Sequence, residues 1–95
     1  MNFLVLGDIF PSAIPLLKKK IPYLIKRDKI DFIIANGENS AKDGRGITVA
    51  TAKTLFKLGI DVLTSGNHIW DQKEILKYIA HEKRLLRPAN ILETL

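Results

Sequence analysis

Three short apolar runs, each closed by glycine beside polar residues, recur about every thirty residues: "FLVLGD" at 3–8, "DFIIANG" at 31–37 and "DVLTSG" at 61–66. They are too short for helices and nearly continuous in apolar character, the pattern of strands buried in a parallel sheet. Helical patterns fill the gaps, at 12–27 and 48–59. Thr48 is placed to cap the second of these and Gly59 to end it. Pro15 suits a first helical turn, whereas Pro22 lies mid-pattern and is expected to kink or split the first helix. A third helix is expected over 71–83, with Ile75, Leu76 and Ile79 inward and Asp71 at its N-terminal end. The chain thus reads as a single α/β domain over residues 1–95, of order βαβαβα, with a mainly parallel sheet and flanking helices.

A parallel sheet points all its strand ends one way, and open α/β sheets bind ligands at the carboxyl ends. Three polar clusters converge there: Gly7-Asp8, Asn36 to Asn39, and Gly66 to His68. Taken singly, Asp, Asn and Gly are ordinary turn residues. Together at one edge they form a set of hard oxygen donors with one imidazole, suited to Mn, Mg or Fe(II). Glu38 is the natural carboxylate to bridge two cations about 3.5 to 4 Å apart, the spacing that serves in-line displacement at phosphorus. The chain has no cysteine, so disulfides and thiolate metal sites are excluded.

Apolar residues make up 46% of the 95 and charged residues 26%, a composition that folds but supports only a thin core. No basic leader with a cleavage site and no membrane span is read from the apolar runs, and the cytoplasm is the expected compartment. Much of the net charge of +5 lies in "LLKKKIPYLIKRDK" and reads as the wet face of an amphipathic helix. Nucleic acid is not expected as a partner, because no aromatic stacking platform accompanies that charge.

With their order and spacing, Gly7-Asp8, "NGENSAKDGRGIT" at 36–48 and "GNHIWDQKEI" at 66–75, followed by "RPAN" at 87–90, resemble the N-terminal half of a calcineurin-like metallophosphoesterase. The resemblance is specifically to the YmdB-like 2',3'-cyclic-nucleotide phosphodiesterase family. Many metallophosphoesterases carry histidine where Phe10 stands here, and the YmdB-like branch also lacks it. The resemblance implies that Asp8 and Asn39 ligate a first metal, that Glu38 bridges both, and that Asn67 ligates the second. His68 corresponds to a general acid that protonates the leaving oxygen. Trp70 is expected to pack the loop, Asp71 to act as a helix cap, His81 to be exposed and Arg87 to be structural.

The resemblance further implies two divalent ions, Fe or Mn, in a complete enzyme acting on a phosphodiester small molecule. Further histidine ligands of such an enzyme lie beyond the matched region, so this truncated domain is expected to hold at most one metal weakly. A complementing C-terminal half or a homo-oligomer is expected to cover the open sheet. The alternative is a catalytically inactive remnant.

Overall fold

The structure, a computed structural model, describes residues 1–89; the last residue of the "RPAN" segment and the "ILETL" that follows lie outside the described residues. Three parallel strands form one sheet in the order β1-β2-β3: β1 (Phe3–Asp8), β2 (Phe32–Asn36) and β3 (Val62–Thr64). Helices α1 (Ile14–Asp28) and α2 (Val49–Lys57) make the two crossovers, and α3 (Ile75–His81) follows β3. Short 3-10 segments at Pro11–Ala13 and Asn67–Asp71 precede α1 and α3. None of the described helices is long and apolar enough to cross a membrane.

Register partners in a parallel sheet share a face, and here the two faces differ. Ile33, Ala35 and Leu63 are buried in one core with Ile21 of α1, Ala52, Leu55 and Phe56 of α2, and Ile75 of α3. The opposite face carries Phe3 paired with Phe32 and Val5 paired with Ile34. It is open, with Val5 70% exposed and Phe3 57% exposed. The rings of Phe3 and Phe32 meet edge to face at 6.1 Å, an internal contact that leaves most of Phe3 in solvent. This is the open apolar sheet surface that the resemblance to half of a larger domain leads one to expect.

The strands are pinned at both ends. At their N-terminal ends, Asp31 Oδ2 accepts from the Asn2 N–H at 2.8 Å and Asp61 Oδ2 accepts from the Ile33 N–H at 2.8 Å. Each aspartate follows an isoleucine just ahead of a strand, so the two "ID" pairs are register pins. On its outer side β3 is met by the segment after α3. The Leu63 N–H donates to Arg84 O at 2.8 Å and the Leu86 N–H to Leu63 O at 2.9 Å, forming a parallel bridge at Leu85. Ser65 Oγ donates to Leu86 O on the same line.

Three expectations are corrected. Helix α1 is not split at Pro22 but continues through it. Pro22 and Lys18 both lie on the exposed side, where water can hydrate the Lys18 carbonyl that proline leaves without a donor. Helix α3 begins at Ile75, not at Asp71, because 67–71 winds as a 3-10 segment first. Leu76 is 42% exposed, and Tyr78 joins Ile75 and Ile79 on the core side instead. Gly59 ends α2 as expected, at φ +111 just past Leu58, with its N–H donating to Phe56 O at 3.0 Å and the Ile60 N–H to Leu55 O at 3.3 Å. Thr48 is the N-cap as expected, its Oγ1 accepting from the Thr51 N–H at 3.1 Å. Trp70 packs against the core and His81 is exposed, both as expected.

The packing of the β3-edge segment makes stability depend on pH. Arg84 donates to Glu82 at 2.7 and 2.9 Å and stacks over Phe56 at 4.1 Å, which ties that segment to α2. The guanidinium holds the Glu82 carboxyl at about 2, below its ordinary 4.5. A depressed carboxyl contributes stability above 4.5 that is lost as pH falls toward about 2. Glu82→Gln should therefore melt below wild type at neutral pH, with the gap closing in acid; parallel melting curves against pH would contradict the assignment. Separately, the open face should bring copies of the chain together at micromolar concentration. Val5→Glu should then lower the sedimentation mass, and an unassociated wild-type chain would refute this.

Candidate functional site

The site is built where the three strands end. In the β1–β2 ladder Leu6 pairs with Ala35 but Asp8 pairs with Asn36, so Gly7 is an extra residue on β1. Such a bulge bends a strand and re-aims the next side chain. The ladder then continues into the loops: the Ile9 N–H donates to Asn36 O at 3.0 Å and the Gly37 N–H to Thr64 O at 2.9 Å. Asn36 clamps the turn, since its Oδ1 accepts from the Glu38 N–H at 3.2 Å and its Nδ2 donates to Thr64 Oγ1 at 3.3 Å. Ser40, buried, closes the turn by donating from Oγ to Gly37 O at 2.8 Å.

This framework brings the candidate residues together in two pairs. Asn39 Nδ2 donates to the Asp8 carboxylate at 3.3 and 3.4 Å. The Glu38 carboxylate lies against the backbone at Gly66 and accepts from the His68 N–H at 3.3 Å. A Cβ at position 66 would overlap that carboxylate, so glycine lets the Glu38 side chain lie this close and any larger residue would displace it. Asn67 is exposed at the start of the 3-10 segment, beside His68 in the chain.

The His68 ring is tied down as well. Its Nδ1 lies 2.9 Å from Asp71 Oδ2, three residues on in the 3-10 segment. Asp71, expected as a helix cap, is instead the partner of this imidazole, because the short 3-10 turn brings residue i+3 back over residue i. Gly46, at φ +67, passes so near that a Cβ would stand 2.5 Å from the His68 carbonyl oxygen. Gln72 Nε2 donates to Arg45 O at 3.0 Å and locks the same loop to the 3-10 segment. Asn36, Ser40, Gly46 and Gln72 are the residues that sequence reasoning did not single out individually. Asn36 carried a signal, an amide at the very end of an apolar run; the others make contacts that no spacing rule anticipates.

The donor chemistry, two carboxylates and two carboxamides, fits a hard divalent cation. Among the described residues, however, no three His, Cys, Asp or Glu side chains form a group that could hold a metal ion. Arg87 stands elsewhere, in a cavity of about 470 Å³ lined also by Ile79, Glu82 and Pro88.

The architecture is that of an open parallel α/β domain with its polar loops gathered at the carboxyl edge of the sheet. The chain belongs to the YmdB-like protein family, whose model matches residues 4–95. It is 40% identical over 94 residues to a Bacillus subtilis protein named 2',3'-cyclic-nucleotide 2'-phosphodiesterase, covering 98% of this chain and 35% of that protein. Its fold is similar to a crystal structure from Mycoplasma pneumoniae described as a novel phosphatase, with a TM-score of 0.88 and 30% identity over 98% of this chain and 33% of that one. A hypothetical protein from Thermus thermophilus superposes with a TM-score of 0.86 at 33% identity, covering all of this chain and 36% of that one. The chain spans about a third of the length of the relatives it matches.

The geometry can be tested without activity. Gly66→Ala should push the Glu38 carboxylate away and shift the His68 amide resonance, leaving the Val62–Thr64 strand amides in place. Gly7→Ala is the control, since a Cβ there meets nothing within 4 Å. A His68 amide indifferent to Gly66→Ala would refute the contact.

Proposed function

We propose that this chain contributes to a metal-dependent phosphodiesterase or phosphatase acting on 2',3'-cyclic nucleotides or related phosphodiesters. The observation that carries the reading is the convergence at one sheet edge of the Asp8–Asn39 pair and the Glu38–His68 pair. The names of the relatives, a phosphodiesterase and a phosphatase, support the reaction class. Asp8, Glu38, Asn39 and Asn67 would hold the divalent ions, Mn or Fe. When bound, such ions supply Lewis-acid activation of water and neutralise phosphate charge.

The chain's own residues then have separate roles. The Glu38 carboxylate is oriented by the His68 N–H that it accepts and by its contact with Gly66. With Nδ1 engaged by Asp71, the remaining ring nitrogen, Nε2, is the one that can pass a proton to the departing ribose oxygen. Steering comes from the loops, since Gly46 and Gln72 fix the backbone that carries His68.

A second reading, a chain that holds one ion weakly and does not turn over by itself, is favoured by the division of the donors into two pairs in which the Asp8 and Glu38 carboxylates already accept N–H groups. The two readings separate in one experiment. Mn(II) should raise the thermal midpoint by mass action, and Glu38→Ala should abolish that rise. His68→Ala should keep the rise and lose about a hundredfold or more in hydrolysis of a 2',3'-cyclic nucleotide. A metal-induced rise without any hydrolysis by the wild-type chain supports the second reading. No rise at saturating metal would sink the metal site in both.

A further inference from the structure

Helix α1 carries two stripes. Ile14, Leu17 and Ile21 pack against the core. Leu16, Lys19, Lys20, Tyr23 and Arg27 recur at helical spacing on another side and line an open groove of about 530 Å³. Tyr23 is 54% exposed and Leu16 57% exposed, so neither contributes much to the core. Lys20 Nζ lies 6.0 Å and Arg27 Cζ 5.3 Å from the centre of the Tyr23 ring. Two cations therefore bracket a solvent-facing aromatic at distances where a cation and a π face attract.

The charge on this helix is one-sided. Residues 18–29 hold six cations, Lys18, Lys19, Lys20, Lys26, Arg27 and Lys29, against one acid, Asp28. Asp28 is taken up by Arg27, which donates to it at 2.8 and 3.1 Å. Among the described residues no carboxylate pairs with Lys18, Lys19, Lys20 or Lys26. A face that is merely solvated gains by mixing signs at spacings of three and four residues, whereas like charges there repel. A polyanion laid along the stripe would relieve that repulsion.

We propose that this face of α1 binds single-stranded nucleic acid, its lysines on phosphates and Tyr23 as the platform for a base. A cationic track beside an exposed aromatic is what sequence-tolerant single-strand binding requires. The expectation against nucleic acid rested on the lack of an aromatic platform beside the charge. A helix broken at Pro22 would separate Lys19 and Lys20 from Tyr23 and Arg27, but the unbroken helix puts all four along one groove. A duplex, with its bases already stacked, offers Tyr23 nothing to stack on. A bilayer is disfavoured because a helix lying on lipid needs a continuous free apolar face, and the apolar face of α1 is spent on the core around Ile21.

The test is fluorescence anisotropy of the full chain with a labelled oligouridylate a dozen nucleotides long, beginning at about 50 mM salt. The log of the binding constant should fall with the log of salt at a slope of about −2 to −3, the signature of three or four phosphate contacts. Tyr23→Ala should weaken binding about fivefold or more, and Lys19→Glu with Lys20→Glu should abolish it. All three side chains are exposed, so thermal midpoints should hold. Glu38→Ala should leave the affinity unchanged, which keeps the result independent of the phosphoesterase reading. Undiminished binding in Tyr23→Ala, a preference for duplex, or capture by phosphatidylglycerol vesicles with no oligonucleotide binding would each overturn the proposal.

Discussion

Parallel pairing of β1 and β3 to the two sides of β2 is the constraint on which everything else rests. It directs three chain ends to one edge and obliges the helices to return the chain to the far end between strands. It also makes the site a product of non-local contacts. Asp8 and Asn39 are separated by 31 residues, Glu38 and His68 by 30, yet each pair is in hydrogen-bonding reach. Only the sheet brings them there.

Backbone room supplies the second condition. The strand ends are crowded, and the crowding is resolved by removing side chains where main chain must pass. Gly66 lets the Glu38 carboxylate lie on the next loop, and Gly46 lets the loop before α2 run past the His68 carbonyl. The polar side chains around them are spent on holding the loops: Asn36 on the turn after β2, Ser40 on Gly37, Gln72 on Arg45. Acidic groups above the site act as ligand candidates, and those at the opposite end of the strands, Asp31 and Asp61, act as pins. One residue type serves two purposes according to which end of a strand it follows.

The outer surfaces divide by chemistry. The sheet face at Val5 and Phe3 is apolar and open, while the outer stripe of α1 is cationic with one bracketed aromatic. Hydrophobic association and polyanion binding respond oppositely to salts excluded from the protein surface, such as sulfate, the first strengthened and the second weakened. The two surfaces are therefore experimentally separable on a chain this small.

The order of elements, the parallel sheet, the N-cap at Thr48 and the gathering of Asp8, Glu38, Asn39 and His68 were legible in the sequence. Strand length, apolar continuity and capping are local properties, and a parallel sheet leaves few places for strand-end residues to go. What the sequence did not determine turned on contacts between distant segments. Pro22 left α1 intact because its carbonyl partner faces water, Asp71 went to His68 because a 3-10 turn wound where an α-helix was expected, and Leu76 ceded the core to Tyr78 once α3 began at Ile75. Each of these depends on where solvent and neighbouring elements stand in three dimensions, and residue spacing along a chain carries no record of that.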